Sequence, residues 1–274
     1  MQINWGLWLT RNILNHNFNN PSGKLKFPTA IDLHKLLVAM VKPKNYWYYE
    51  VSKCAPQYAL KYLSEAWKRC FTKVSGQPKF KKKGRDDSFT LDGSISVRFN
   101  HIKLPRIGWV KTYEILPDNV IPKSVTISRK ADRWFISFKV EKATIITEKS
   151  ADVVGVDLGV KTLATLSTGE IFEGAKSYKK LESKLSRLQY LNRHKTKFSN
   201  NWKKAQLKIA QLHNTIANIR KDTLHKLTTY LAKNHSQIVI EDLNVSGMMA
   251  EPKLAKAVAD MGFYEFRRQL DYKC

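Results

Sequence analysis

Two short apolar runs in this chain each end on a carboxylate. Val153-Val154-Gly155-Val156 leads into Asp157, and Ile238-Val239-Ile240 leads into Glu241. An apolar strand seldom carries an acid without a use for it, because an unpaired carboxylate is costly to bury. If the two strands are neighbours, both acids emerge at one edge of a sheet. Like charges so placed repel, and a divalent cation relieves the repulsion. Mg²⁺ is the expected ion, since it prefers oxygen ligands and keeps coordination positions for water and phosphate. Two such ions about 4 Å apart can activate water and stabilise the leaving oxygen in phosphodiester cleavage. Gly155 and Gly159 would let a phosphate approach the backbone closely. Each acid alone also has a plainer reading. Asp157 can be an ordinary turn residue, and Asp242 can be the inward-facing carboxylate in place of Glu241.

The elements that must position these acids follow from the surrounding pattern. Val153–Asp157, Lys161–Leu166 and Glu170–Phe172 read as three strands too close in sequence to be anything but an antiparallel meander. Two long basic helices are expected over about 177–196 and 201–234. Leu181, Leu185 and Leu188 mark one apolar face, and Ile209, Leu212, Ile216 and Ile219, then Leu224, Leu227 and Leu231, mark the other. The strand Gln237–Glu241 follows, and its continuous apolar character suits a central strand covered on both faces. A right-handed crossover would set it parallel to the 153–157 strand. This is the order of a ribonuclease H-like domain. Upstream, short alternating segments at Ser94–Phe99, Val125–Ser128 and Trp134–Val140 predict a compact all-β barrel or sandwich over 76–148. Residues 1–75 read as helical, with breaks at Asn20–Gly23 and Lys42–Asn45. The fold class is therefore α/β plus all-β, in three segments: 1–75, 76–148 and 149–274.

The 274 residues include 48 Lys+Arg and 23 Asp+Glu, a formal net charge of +25. A field of that sign attracts polyanions, nucleic acid foremost. The candidate phosphate contacts are Lys79, Lys81, Lys82, Lys83 and Arg85 in one run. Lys179, Lys180 and Arg187 follow on the first long helix, and Lys203, Lys204, Arg220, Lys221 and His225 on the second. Too few acids lie at i±4 to neutralise the helices, so sequence-independent, salt-sensitive contact is expected. Trp47, Tyr48, Tyr49, Tyr58 and Tyr62 read as core in preference to a base-stacking platform. Cys54, Cys70 and Cys274 match no zinc spacing and no disulfide framework. With no membrane-spanning run and no signal pattern, a cytoplasmic protein is expected.

Together these segments resemble a known family. Gly155-Val156-Asp157-Leu158-Gly159-Val160-Lys161-Thr162-Leu163-Ala164-Thr165 resembles the first RuvC motif of the OrfB/TnpB proteins of insertion sequences. Ile238-Val239-Ile240-Glu241-Asp242-Leu243-Asn244-Val245-Ser246-Gly247-Met248 resembles the second. Between them, Leu212–Leu227 resembles the family's signature helix. The likeness is strongest over 150–274. It is weaker over 76–148, which resembles a partial wedge barrel with Pro78-Lys79-Phe80-Lys81 as its best point. Residues 1–75 resemble the helical recognition lobe.

The resemblance implies a transposon-associated, RNA-guided DNA endonuclease with guide RNA and target DNA as partners. It places a RuvC-like Mg²⁺ site at Asp157 and Glu241. The family's third catalytic Asp lies beyond a zinc ribbon with two Cys-x-x-Cys pairs, and neither is found here. The chain is therefore expected to be truncated at both ends, without zinc and with impaired cleavage. Asp271 as a substitute third acid has the plainer reading of a surface residue at a helix end. Two rival readings are a nuclease-dead, RNA-guided DNA-binding module and a decayed remnant that binds RNA or DNA non-specifically.

Overall fold

The computed structural model describes residues 4–84, 87–117, 120–141 and 150–274. The chain divides into two compact units, Met1–Lys142 and Ala143–Cys274.

The first unit opens with α1 (Asn4–Asn19), α2 (Ala30–Leu36) and α3 (Cys54–Phe71). Thr29 and Asp32 cap the start of α2 reciprocally, a capping box. The break expected at Lys42–Asn45 is instead a run of single turns. The chain winds from α2 through a π turn (Leu37–Val41) into two 3-10 turns, Lys42–Lys44 and Tyr46–Tyr48. Leu7, Leu33, Leu37, Leu60, Leu63 and Trp67 form the helical core. The buried Trp67 indole donates to Thr10 Oγ1 at 2.9 Å, tying α3 to α1.

Six strands follow: β1 (Ser88–Asp92), β2 (Ser96–Arg98), β3 (His101–Leu104), β4 (Gly108–Lys111), β5 (Ser124–Lys130) and β6 (Arg133–Phe138). They form two three-stranded antiparallel sheets, β1-β5-β6 and β2-β3-β4, that share a core around Leu91, Ile102 and Val125. Of the expected barrel or sandwich, no barrel forms among the described residues, and two separate sheets stand in its place. Gly93 at φ +96° and Phe99 at φ +47° turn the chain before and after β2, so β1 and β2 join different sheets.

In the second unit, β7 (Ser150–Leu158), β8 (Ala164–Leu166) and β9 (Ile171–Phe172) make the predicted meander. Then come α4 (Ser177–Arg193), α5 (Asn200–Asn234) and β10 (His235–Ile240), followed by α6 (Val245–Ala250), α7 (Ala255–Met261) and α8 (Phe263–Lys273). The sheet order is β10-β7-β8-β9, with β10 parallel to β7. Val154, Val156 and Leu158 face a core completed by Leu224, Leu227 and Leu231 of α5, Val258 and Met261 of α7, and Phe266 of α8. The opposite face is not covered in the same way, for Val153 and Val239 remain 55% and 58% exposed. The expectation of a central strand buried on both sides is thus corrected. Among the described residues β10 is an edge strand with one solvated face. The α4–α5 hairpin closes on Leu185, Leu212 and Ile216.

Candidate functional site

Alternation along β7 fixes Asp157. Its neighbours Val156 and Leu158 point into the core, so Asp157 lies on the solvent side and is exposed. Across the parallel pair, Ile240 is level with Val156. Glu241 directly follows Ile240, just past the end of β10, as Asp157 directly follows Val156 on β7, and it is likewise exposed. Neighbouring strands run about 4.8 Å apart. The register therefore brings the two predicted acids to one edge of the sheet.

Asp242 is tied to α8. Its carboxylate accepts from the Arg267 guanidinium of α8, an ion pair with side chains 85% and 55% exposed. A cavity of about 370 Å³ adjoins the edge, and Leu158, Glu241, Asn244, Arg267, Arg268 and Asp271 line it. Asp271 thus lies near Glu241, yet among the described residues no three His, Cys, Asp or Glu side chains gather closely enough to hold a metal. The glycines have local explanations. A Cβ on Gly159 would meet the Thr162 carbonyl at 3.1 Å, so a larger residue would crowd the β7–β8 turn. The Gly155 N–H donates to Ser167 Oγ at 3.0 Å and is already satisfied.

The profile of the OrfB_IS605 family, described as "Probable transposase", matches residues 136–251. "Putative RNA-guided DNA endonuclease InsQ" of Escherichia coli (strain K12) is 38% identical over 96% of this chain and 70% of its own length. The chain belongs to the OrfB_IS605 family. A "Putative RNA-guided DNA endonuclease" of Streptomyces pristinaespiralis is 36% identical over 82% of this OrfB_IS605 chain and 58% of that protein. A Mycobacterium tuberculosis relative with the same designation is 32% identical over 73% and 49%. The chain thus spans from about half to seven tenths of these relatives. One chain of a Cas12f1-sgRNA-target DNA complex aligns over 98% of this chain and 77% of its own, at 10% identity and a TM-score of 0.27. That likeness is too loose to carry an argument.

The basic residues of this OrfB_IS605 protein divide by environment. Asn4 of α1 clamps the Lys81 backbone through two hydrogen bonds of 3.0 Å. Arg11 donates to the Pro78 carbonyl at 2.5 Å and stacks over the Phe80 ring. The segment is held by its backbone, and the side chains of Lys79, Lys81, Lys82 and Lys83 stay exposed; Arg85 lies outside the described residues. Lys179, Lys180, Arg187, Lys203, Lys204 and Lys221 are exposed on α4 and α5. Arg220 departs from the expected role of a free phosphate contact. It is half-buried, its guanidinium donates to the Ala259 carbonyl, and its stem would meet a Cβ on Gly262 at 3.1 Å, so it packs α5 against α7. His225 is also half-buried. Burial, then the nearby Lys273 and Lys221, lower its pKa from 6.5, which favours neutral imidazole.

Sequence reasoning missed Asp260. Only 5% exposed, it accepts from Ser177 Oγ at 3.0 Å, Tyr178 N at 2.9 Å and Lys179 N at 3.2 Å. It caps α4 from another helix, in place of a side-chain cap that Lys176 does not provide. The available signal was an acid between Val258 and Met261, the same cue that marked Asp157.

Proposed function

We propose that this chain is the nuclease-bearing part of an RNA-guided DNA endonuclease. Residues 149–274 would form a ribonuclease H-like (RuvC) domain, 76–148 a wedge-like domain and 1–75 a recognition-lobe-like segment. Guide RNA and target DNA would be its partners. The observation that supports the reading is the β7–β10 register, which pairs Val156 with Ile240, the residues directly before Asp157 and Glu241. Family membership supports it, as does the net charge of +25.

The donor set fits Mg²⁺ in kind. Two exposed carboxylates offer hard oxygen ligands, and Mg²⁺ is commonly held by one or two carboxylates, with water and substrate phosphate filling the other positions. Asp157 and Glu241 would hold the ion, which would supply charge neutralisation at the phosphate and a more acidic water. The exposed lysines of α4 and α5 would bind backbone phosphates without reading sequence. Target choice would come from base pairing with the guide. His225, neutral near pH 7, would contribute hydrogen bonding and no charge.

The decisive experiment supplies purified chain with a guide RNA, a matching DNA and Mg²⁺. Guide-dependent cleavage should vanish in both Asp157→Ala and Glu241→Ala, with unfolding midpoints unchanged. Cleavage surviving both substitutions would refute the reading. One observation favours a second reading: no third acid joins the pair among the described residues. On that reading the chain binds guided DNA without cutting it. Guide-dependent binding without cleavage, indifferent to both substitutions, would establish it.

A further inference from the structure

We propose that Arg267 binds a phosphate of the DNA strand entering the Asp157–Glu241 edge, and that Asp242 holds its guanidinium in place until the phosphate arrives. The inference rests on the function proposed above and assigns a residue that the motifs do not mark.

The need for a cation comes from the charge of this corner. Glu241 and Asp271 line the cavity, Asp242 is bonded to Arg267 of its lining, and Asp157 directly follows the Val156 that pairs with Ile240. A phosphodiester approaching so many carboxylates is repelled unless a positive group meets it. Among the described residues, the cations lining the cavity are Arg267 and Arg268. Arg268 is committed. It makes two hydrogen bonds of 2.7 Å to Glu265, whose carboxylate also accepts from the fully buried Gln269. A bidentate pair of this kind is strong and directional.

Arg267 is placed differently. Its partner Asp242 is 85% exposed, and Arg267 itself is 55% exposed. Exposed ion pairs contribute little to stability. The guanidinium can therefore exchange one oxyanion for another at small cost. Its planar fork matches two oxygens of a phosphate as well as those of a carboxylate. Asp242 thus acts as an internal stand-in for the phosphate. It occupies the guanidinium until a phosphate displaces it, so it competes with the phosphate for Arg267.

The test measures binding of a fluorescein-labelled single-stranded DNA against salt, without divalent metal, for a cycle of variants. Arg267→Gln should reduce the slope of log K against log salt by about 0.7, the value for one single-strand phosphate. That corresponds to about fivefold weaker binding at 0.1 M salt, converging with wild type near 1 M. Asp242→Asn should tighten binding when Arg267 is present and have little effect in the Arg267→Gln background. Arg267→Lys, which keeps charge without the fork, should fall between wild type and Arg267→Gln. The proposal is overturned if Arg267→Gln leaves slope and affinity unchanged, or if Asp242→Asn tightens binding equally in both backgrounds. A purely structural Arg267 would lower the unfolding midpoint and spare the slope, which also refutes it. Cleavage that survives Asp157→Ala sinks the metal site alone, because this binding cycle needs neither metal nor chemistry.

Discussion

Asp260→Ala should loosen α4 while leaving every cation on that helix in place. The carboxylate accepts the backbone N–H groups of Tyr178 and Lys179 at 2.9 and 3.2 Å, together with the Ser177 hydroxyl. Ser177 keeps an alternative acceptor, the Ile216 carbonyl at 3.1 Å. The two backbone donors lose their partner. Each unsatisfied buried donor costs about 1–3 kcal/mol, and loss of an N-cap typically costs about 1 kcal/mol. Allowing for partial rehydration, the sum is about 3 kcal/mol, or roughly a hundredfold in a local opening equilibrium. Asp260→Asn keeps an acceptor and loses the charge, so about 1 kcal/mol is expected. Hydrogen exchange followed by mass spectrometry on peptides from α4 reads this directly. Protection should fall roughly a hundredfold in the alanine variant and several-fold in the asparagine variant, with the first unit unchanged. Lys179, Lys180 and Arg187 ride on this helix, so nucleic-acid affinity should fall without loss of any cation. Protection of α4 in Asp260→Ala within about threefold of wild type would show that the cross-helix cap contributes nothing.

Two further perturbations separate structure from binding. The Arg268 guanidinium beside Glu265 holds that carboxyl down at about 2, against an ordinary value of 4.5. A folded value below the unfolded one stabilises the fold above the unfolded pKa, and that stabilisation is lost as pH falls from about 4.5 towards 2. Urea unfolding of the second unit should therefore show a pH dependence in this window that Glu265→Gln flattens; parallel curves for the two proteins would contradict it. At adjacent positions on α5, Arg220→Ala should cost about 1–2 kcal/mol of stability through loss of its bond to Ala259. Lys221→Ala should stay within about 0.5 kcal/mol of wild type. It should nevertheless lower the salt dependence of nucleic-acid binding by about one phosphate contact, and the reverse pattern would refute the assignment.

What could be read from sequence was what local pattern determines. The apolar faces of α4 and α5 and the acids ending β7 and β10 carry their own periodicity, and those elements stand where they were expected. β8 is shorter than expected because Lys161–Leu163 belong to the turn that Gly159 closes, with the Gly159 N–H directed at the Leu163 carbonyl. β3 and β4 escaped notice because Pro105 and Arg106, the latter at φ +68°, interrupt any alternation across them. The run Ile238-Val239-Ile240 suggested burial on both faces, yet only the even positions pack on the core. No property of a strand's own residues reveals whether another element covers its far side. The partners of Asp242 and Asp260 were equally hidden, since Arg267 and Ser177 lie 25 and 83 residues away.

Charge balance gives an independent argument about the acidic edge. With 48 basic residues against 23 acidic ones, an acid used for stability has cations within easy reach. Glu141, Glu173, Glu182, Asp222, Asp242 and Glu265 each form an ion pair. Among the described residues Asp157 and Glu241 form none, although Arg267 pairs with the very next residue, Asp242. Two carboxylates at one edge of neighbouring strands repel each other, and more strongly beside a protein surface than in open water. Folding alone gives no reason to keep that repulsion in so cationic a chain, since one lysine on either strand would relieve it. A guest cation would relieve it reversibly, and only while the site is loaded. The pairing of Asp242 with Arg267 fits the same logic, for it leaves Glu241 without an ion pair among the described residues.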